Sequence, residues 1–163
     1  MTAAPAAHSA VSDVTGPAGE TAGPATGVTG PVRQMVSPVR GAVLVVRPGS
    51  TDPDAPQARA EVRIDASEPV FEGHYPEFPI FPGVCVVECV HRSALATAPS
   101  GADLTLAALD SARFVGAVFP GDVLGIDITW KAVDDRLRCE AVASTGRGTA
   151  AKVRLSYAVG ASA

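Results

Sequence analysis

Four prolines, Pro69, Pro76, Pro79 and Pro82, fall within one fourteen-residue stretch of this 163-residue chain. Each fixes its own φ, lacks an N–H donor and biases the residue before it toward extended backbone. The stretch therefore reads as neither a helix nor a central strand. It is nevertheless rich in Val70, Phe71, Phe78, Ile80 and Phe81, more apolar than a solvated loop. A stiff apolar loop carrying His74 leads into an apolar segment carrying Glu88. That combination reads as a built site.

The segment from Val84 to about Ala98 is expected to be a helix buried on most sides, because it is apolar almost all round. Pro82 suits the first helical position, and Gly83 lets another group approach the backbone closely. The polar exceptions are Glu88, His91, Arg92 and Ser93. Glu88, His91 and Arg92 stand at i, i+3 and i+4, so they share one stripe. A carboxylate in so apolar a helix requires a partner or a purpose. The structural alternative to a functional Glu88 is an ion pair with Arg92 at the helix rim.

Composition narrows the class. A formal charge of −4 gives no electrostatic reason to expect nucleic acid. Three cysteines, Cys85, Cys89 and Cys139, form no disulfide framework and read as small core filler in a reducing compartment. Cys85, Cys89 and His91 lack a closing set of ligands, so no metal site is expected. No apolar run reaches the length of a membrane span, and the N-terminus has no basic start followed by an apolar core. The expected location is cytoplasmic. Residues 1–30 contain 23 Ala, Gly, Pro, Ser or Thr and no Leu, Ile, Phe, Trp or Tyr. Such a segment cannot bury enough to offset its ordering entropy. The expected organisation is a disordered tail over 1–35 and a single domain over 36–163.

Ala42–Val46 reads as a strand ended by Pro48-Gly49, and Thr51–Pro56 as a loop. Ala58, Ala60, Val62 and Ile64 alternate with Arg59, Glu61, Arg63 and Asp65, a half-buried strand feeding into the proline-rich stretch. After Pro99-Ser100-Gly101 come three or four strands. Leu104–Phe119 is apolar with a break at Asp110-Ser111. Leu124–Trp130, Leu137–Ala143 and Ala151–Val159 alternate cleanly, separated by turns at Asp134-Asp135 and Gly146-Arg147-Gly148. One apolar helix with about five amphipathic strands is an α+β arrangement, a sheet curled around a helix.

Gly73-His74-Tyr75-Pro76, then Pro79-Ile80-Phe81-Pro82-Gly83-Val84, then Glu88 fourteen residues after His74, resembles the signature of the β-hydroxyacyl-acyl-carrier-protein dehydratases of FabZ type. Ala112-Arg113-Phe114 followed by Phe119-Pro120-Gly121-Asp122 is similar to a second block of that family. Two separate blocks in the right order, within about residues 58–159, make a specific signal. The resemblance implies a hotdog fold, no cofactor and no metal. It also implies an acyl carrier protein bearing a 3-hydroxyacyl group as partner substrate. His74 and Glu88 would come from opposite subunits of a homodimer, or of a heterodimer with a related hotdog subunit. Tyr75, Phe78, Phe81 and Val84 would lie near the acyl tunnel.

The residues suit that chemistry. Removing a proton from C2 needs a base near neutral pH, and histidine is one without perturbation. Expelling hydroxide from C3 needs an acid, a role Glu88 can fill only if its apolar surroundings hold its proton. The free N–H groups at the helix start, around Gly83, are candidate donors to the thioester oxygen. The chain also departs from the family pattern. Arg92 stands where glutamine is usual, a candidate modulator that would disfavour a protonated Glu88. Phe81 replaces methionine, and Val115 and Gly116 replace basic residues that help dock the carrier. The family's N-terminal H-R-x-P motif is not visible around Val36–Arg47. These departures point to a specialised fatty acid or polyketide pathway. Competing readings are a non-catalytic hotdog subunit of a heteromeric dehydratase and a hotdog acyl thioesterase. Enoyl isomerisation, which in relatives goes with Asp at the Glu88 position, is disfavoured.

Overall fold

Alternation in four strands delivers every second side chain to one face. The computed structural model describes residues 37–50, 52, 57–75, 77–99 and 103–160. The expected N-terminal tail, most of the Thr51–Pro56 loop, Pro76, Ser100 and Gly101 lie outside them. β2 (Ala58–Arg63) buries Ala58, Ala60 and Val62, and β4 (Val123–Val133) buries Leu124, Ile126, Ile128 and Trp130. β5 (Arg136–Thr145) adds Leu137, Cys139, Ala141 and Ala143, and β6 (Gly148–Val159) adds Ala151, Val153, Leu155 and Tyr157. With the edge strands β1 (Val43–Arg47) and β3 (Leu104–Phe114) they form one antiparallel sheet in the order β1-β2-β4-β5-β6-β3.

The inner face of this sheet packs on helix α2 (Gly83–Ala96), which buries Cys85, Val86, Cys89, Val90, Ser93 and Ala94. The α+β expectation of a sheet wrapped around one apolar helix is met. The helix ends two residues before the expected Ala98. Thr97 turns its hydroxyl onto the Ser93 carbonyl at 2.8 Å, and Pro99 disfavours a helical Ala98. The proline-rich stretch is also not wholly extended. A single helical turn, α1 (Val70–Gly73), forms directly after Pro69, where the missing N–H costs nothing because the first turn has no acceptor for it. Among the described residues no helix is long and apolar enough to cross a membrane.

β3 occupies one sheet edge and is exposed along most of its length. Its pairing with β6 slips at Leu106/Ala108 and again at Leu109/Ser111, the second slip falling at the break read from Asp110-Ser111. Leu106, Leu109 and Phe114 stand opposite Tyr157, Leu155 and Ala151, so they belong to the helix-facing side. All three remain exposed. Of the three, Phe114 lies over the start of α2 at Gly83.

One buried charge fastens the start of the domain. Glu68 is 2% exposed, and its carboxylate accepts from the backbone N–H of Arg40 at 3.0 Å and of Gly41 at 2.8 Å. From the other side, Arg92 Nη1 donates to the Val39 carbonyl at 2.9 Å. Removing the carboxylate strands two N–H donors beside the core, at a cost of about 1–3 kcal/mol for each buried group left unmade. Glu68→Ala is expected to lower the urea-unfolding free energy by roughly 2–4 kcal/mol on that basis. A loss below about 0.5 kcal/mol, the range of ordinary surface changes, would show that the clamp contributes nothing.

Candidate active site

The two sequence blocks singled out above fold against each other. The Phe81 N–H donates to the Val118 carbonyl at 2.7 Å, and the Phe78 ring meets Phe119 edge-on with centroids 5.7 Å apart. Gly83 opens α2 directly beneath the Phe114 ring, where an added Cβ would sit 2.9 Å from the ring carbons. A Cβ there would push the Phe114 ring aside. The Phe119–Asp122 turn is fixed in its place by Asp122 accepting from the Phe119 N–H at 2.8 Å, by Gly121 N–H bonding Ile64 O at 2.7 Å, and by Arg147, which pairs with Asp122 and lies over the Phe119 ring.

His74 follows α1 and is half-buried. Its Nδ1 lies 3.0 Å from the Ile80 carbonyl. A carbonyl oxygen only accepts, so Nδ1 carries the proton, and the neutral ring keeps its lone pair on Nε2. The loop's own backbone thus sets the tautomer a general base needs. Tyr75 packs edge-on against His74, centroids 4.5 Å apart, and adopts the left-handed region at φ 51°. That conformation is uncommon for a bulky residue and persists only where its surroundings enforce it.

Glu88 lies midway along α2, half-buried. It has no hydrogen bond or ion pair to any described residue. The rim ion pair with Arg92 does not form, because Arg92 points instead at Val39. Val84, Glu88, His91 and Leu95 recur at helical spacing on the side of α2 away from the buried face, and Val84 is 71% exposed. Tyr75 and Phe78, at 62% and 61% exposed, add apolar surface to this chain's uncovered area. Phe81 differs from these. It is 2% exposed and packs on Phe71 in the core, centroids 5.8 Å apart. The N–H groups of Gly83 and Val84 have no acceptor among the described residues, as expected of a helix start.

Within one chain no hydrogen bond or ion pair joins His74 to Glu88. A cavity of about 380 Å³ beside Glu68 and one of about 510 Å³ on the outer sheet face are lined by neither residue. The three cysteines are buried, and burial pushes Cys89 and Cys139 up to about 12, so they are inert thiols at neutral pH. The sequence reading did not find the contact between His91 and Tyr157, whose ring nitrogen and hydroxyl lie 2.9 Å apart. The available signal was a tyrosine at a core position of an alternating strand, whose hydroxyl must find a partner when buried.

An antiparallel sheet wrapped on a central helix, with a histidine from a proline-rich loop and a glutamate within the helix, defines a hotdog-fold protein of dehydratase type. The chain belongs to the ApeI-like dehydratase family, whose pattern matches residues 50–152. It is similar to the 3-hydroxyacyl-acyl-carrier-protein dehydratase FabZ of Cupriavidus taiwanensis, at 35% identity over 99 residues. That match spans 48% of this chain and 66% of the relative, just under two thirds of its length. Among solved structures it resembles the dehydratase heterocomplex ApeI:P from Xenorhabdus doucetiae, with TM-score 0.54 and 20% identity over 72% of this chain and 98% of that one. A hot-dog-like protein from Thermanaerovibrio acidaminovorans gives TM-score 0.56 and 15% identity over 68% and 84%. The structural likenesses establish the fold.

The His74 tautomer is directly observable. Long-range proton–nitrogen spectra of nitrogen-labelled protein above pH 8 are expected to show His74 protonated at Nδ1. Protonation at Nε2 would mean that the Ile80 carbonyl does not hold the ring.

Proposed function

We propose that this protein dehydrates carrier-protein-bound 3-hydroxyacyl thioesters to trans-2-enoyl thioesters. The single observation that carries the reading is the His74–Ile80 hydrogen bond, which leaves Nε2 as a base in a loop matching the family's. Membership of the ApeI-like family and the similarity to FabZ support it.

In the proposed reaction His74 Nε2 takes the C2 proton. The electrons of that bond form the C2=C3 double bond, and the C3–O bond breaks. The departing oxygen takes a proton from Glu88 and leaves as water. Afterwards the imidazolium returns its proton and Glu88 regains one through solvent. Charge growing on the thioester oxygen is met by the unpaired N–H groups at the start of α2. Tyr75, Phe78 and Val84 line the acyl path and Phe81 backs it from the core. The departures at Phe81, Arg92, Val115 and Gly116 favour a specialised fatty acid or polyketide pathway over housekeeping synthesis.

The site is proposed to be completed by a second hotdog chain, either another copy or a related subunit. Support comes from the uncovered Glu88 stripe and from the exposed helix-facing residues Leu106, Leu109 and Phe114 on the β3 edge. An open edge with apolar residues beside it is a template for pairing. A non-catalytic subunit role is disfavoured by the His74 geometry.

The test is mass spectrometry of 3-hydroxyacyl groups on a carrier protein. Loss of water is expected with wild type and is expected to fall at least about a hundredfold in His74→Ala and in Glu88→Gln, the usual contribution of an acid or base. If the site is shared between two copies, co-refolding the two variants restores about a quarter of the activity, since half the dimers are mixed and half their sites intact. No recovery would place both groups within one chain or call for a different partner. Release of free thiol instead of enoyl product would establish a thioesterase.

A further inference from the structure

One buried polar contact lies beside the proposed acid and has no part in the reaction described above. His91 follows Glu88 by three residues, on the same stripe of α2. Its Nδ1 lies 2.9 Å from Tyr157 Oη, and the two rings are nearly parallel, at 12° with centroids 5.8 Å apart. Tyr157 comes from β6, is completely buried and is tilted against Trp130 on its other side. Its hydroxyl has no other acceptor among the described residues. A buried O–H needs an acceptor, so it donates to Nδ1. The ring proton therefore sits on Nε2, the opposite tautomer to that of His74.

We propose that His91, held by Tyr157, is a positioning residue for Glu88: a neutral imidazole one helical turn away that keeps a cation off the stripe and presents an N–H donor on it. The assignment rests on the dehydratase reading for the importance of Glu88, but not for the coupling between the two side chains. The charged and titratable groups around His91 are few. On α2 they are Glu88 and Arg92, and Arg92 is committed to Val39. From the sheet it is Tyr157, pushed up by burial and hence neutral. Burial lowers His91 below the ordinary imidazole value, and Glu88 alone among its neighbours opposes this. A protonated His91 would favour the carboxylate of Glu88, which is the form an acid catalyst must avoid.

The experiment is a nitrogen-detected histidine titration of the full-length chain as wild type, Glu88→Gln and Tyr157→Phe. In wild type His91 is expected as the Nε2–H tautomer at pH 7, with a midpoint below about 6.5. Glu88→Gln removes the one anion favouring the cation, so the midpoint is expected to fall. Tyr157→Phe keeps the ring packing but removes the donor to Nδ1, so the midpoint is expected to rise. In the carrier-protein assay Tyr157→Phe is then expected to move the alkaline limb of kcat/KM to lower pH. An unmoved midpoint in Glu88→Gln, or an Nδ1–H tautomer in wild type, overturns the proposal. Because Glu88→Gln leaves Tyr157 in place, that arm stands even if the tyrosine variant fails to fold. A coupled titration in a protein that turns over none of the acyl substrates would uphold the His91–Glu88 link and overturn the dehydratase reading instead.

Discussion

A single curled sheet can cover only one side of a helix, and the placement of the site follows from that. The inner faces of the four central strands take up Cys85, Val86, Cys89, Val90 and Ala94, leaving the opposite stripe of α2 with Val84, Glu88 and Leu95, while His91 reaches back to Tyr157 of β6. In a solitary domain that stripe would be expected to be polar. Here it is apolar around one carboxyl, and the curled end of β3 extends the apolar surface with Leu106, Leu109 and Phe114. Covering such side chains is worth roughly 1.5–3 kcal/mol each. On the proposed reading, the geometry that leaves Glu88 uncovered also leaves apolar surface for a second chain to bury.

The proline-rich loop imposes a second constraint. Four prolines remove four backbone donors, so the N–H groups that remain must be used well. Phe81 spends its own on Val118, while the Ile80 carbonyl takes the His74 ring proton. Those two adjacent residues tie the loop to the second motif on one side and orient the histidine on the other. Gly83 completes the junction, since only a residue without Cβ lets Phe114 lie over the helix start. The spacing of Pro79, Pro82 and Gly83 is in this sense a packing requirement that also orients His74.

Much of this was legible from residue patterns. Period-two alternation located β2, β4, β5 and β6, and the apolar run after Pro82 located α2. His74 and Glu88 stood out because an apolar loop and an apolar helix carry them at the spacing of the dehydratase signature. What was not legible involved partners distant in sequence. Nothing local to Arg92 reveals that Val39 accepts its hydrogen bond, and helical spacing alone pointed to Glu88 instead. Glu68 carries no local signal, because its partners, the N–H groups of Arg40 and Gly41, lie 28 and 27 residues earlier. Phe81 had core packing and the tunnel wall as equal alternatives, and its contact with Phe71 depends on the α1 turn, which the run of prolines had argued against.

The substituted positions then fit together. Arg92 stands where relatives of the FabZ type carry glutamine, and a cation there would be expected to disturb Glu88. The structure gives that cation other work. Glu68 accepts the N–H groups of residues 40 and 41, Arg92 donates to the carbonyl of residue 39, and the segment leading into β1 is gripped by opposite charges from both sides. Each long side chain satisfies backbone groups that would otherwise be stranded near the core. The guanidinium so engaged is turned away from Glu88. The neighbour at i+3 is a histidine bonded to a buried phenol, and in the coupling proposed above it links Glu88 to a contact between helix and sheet.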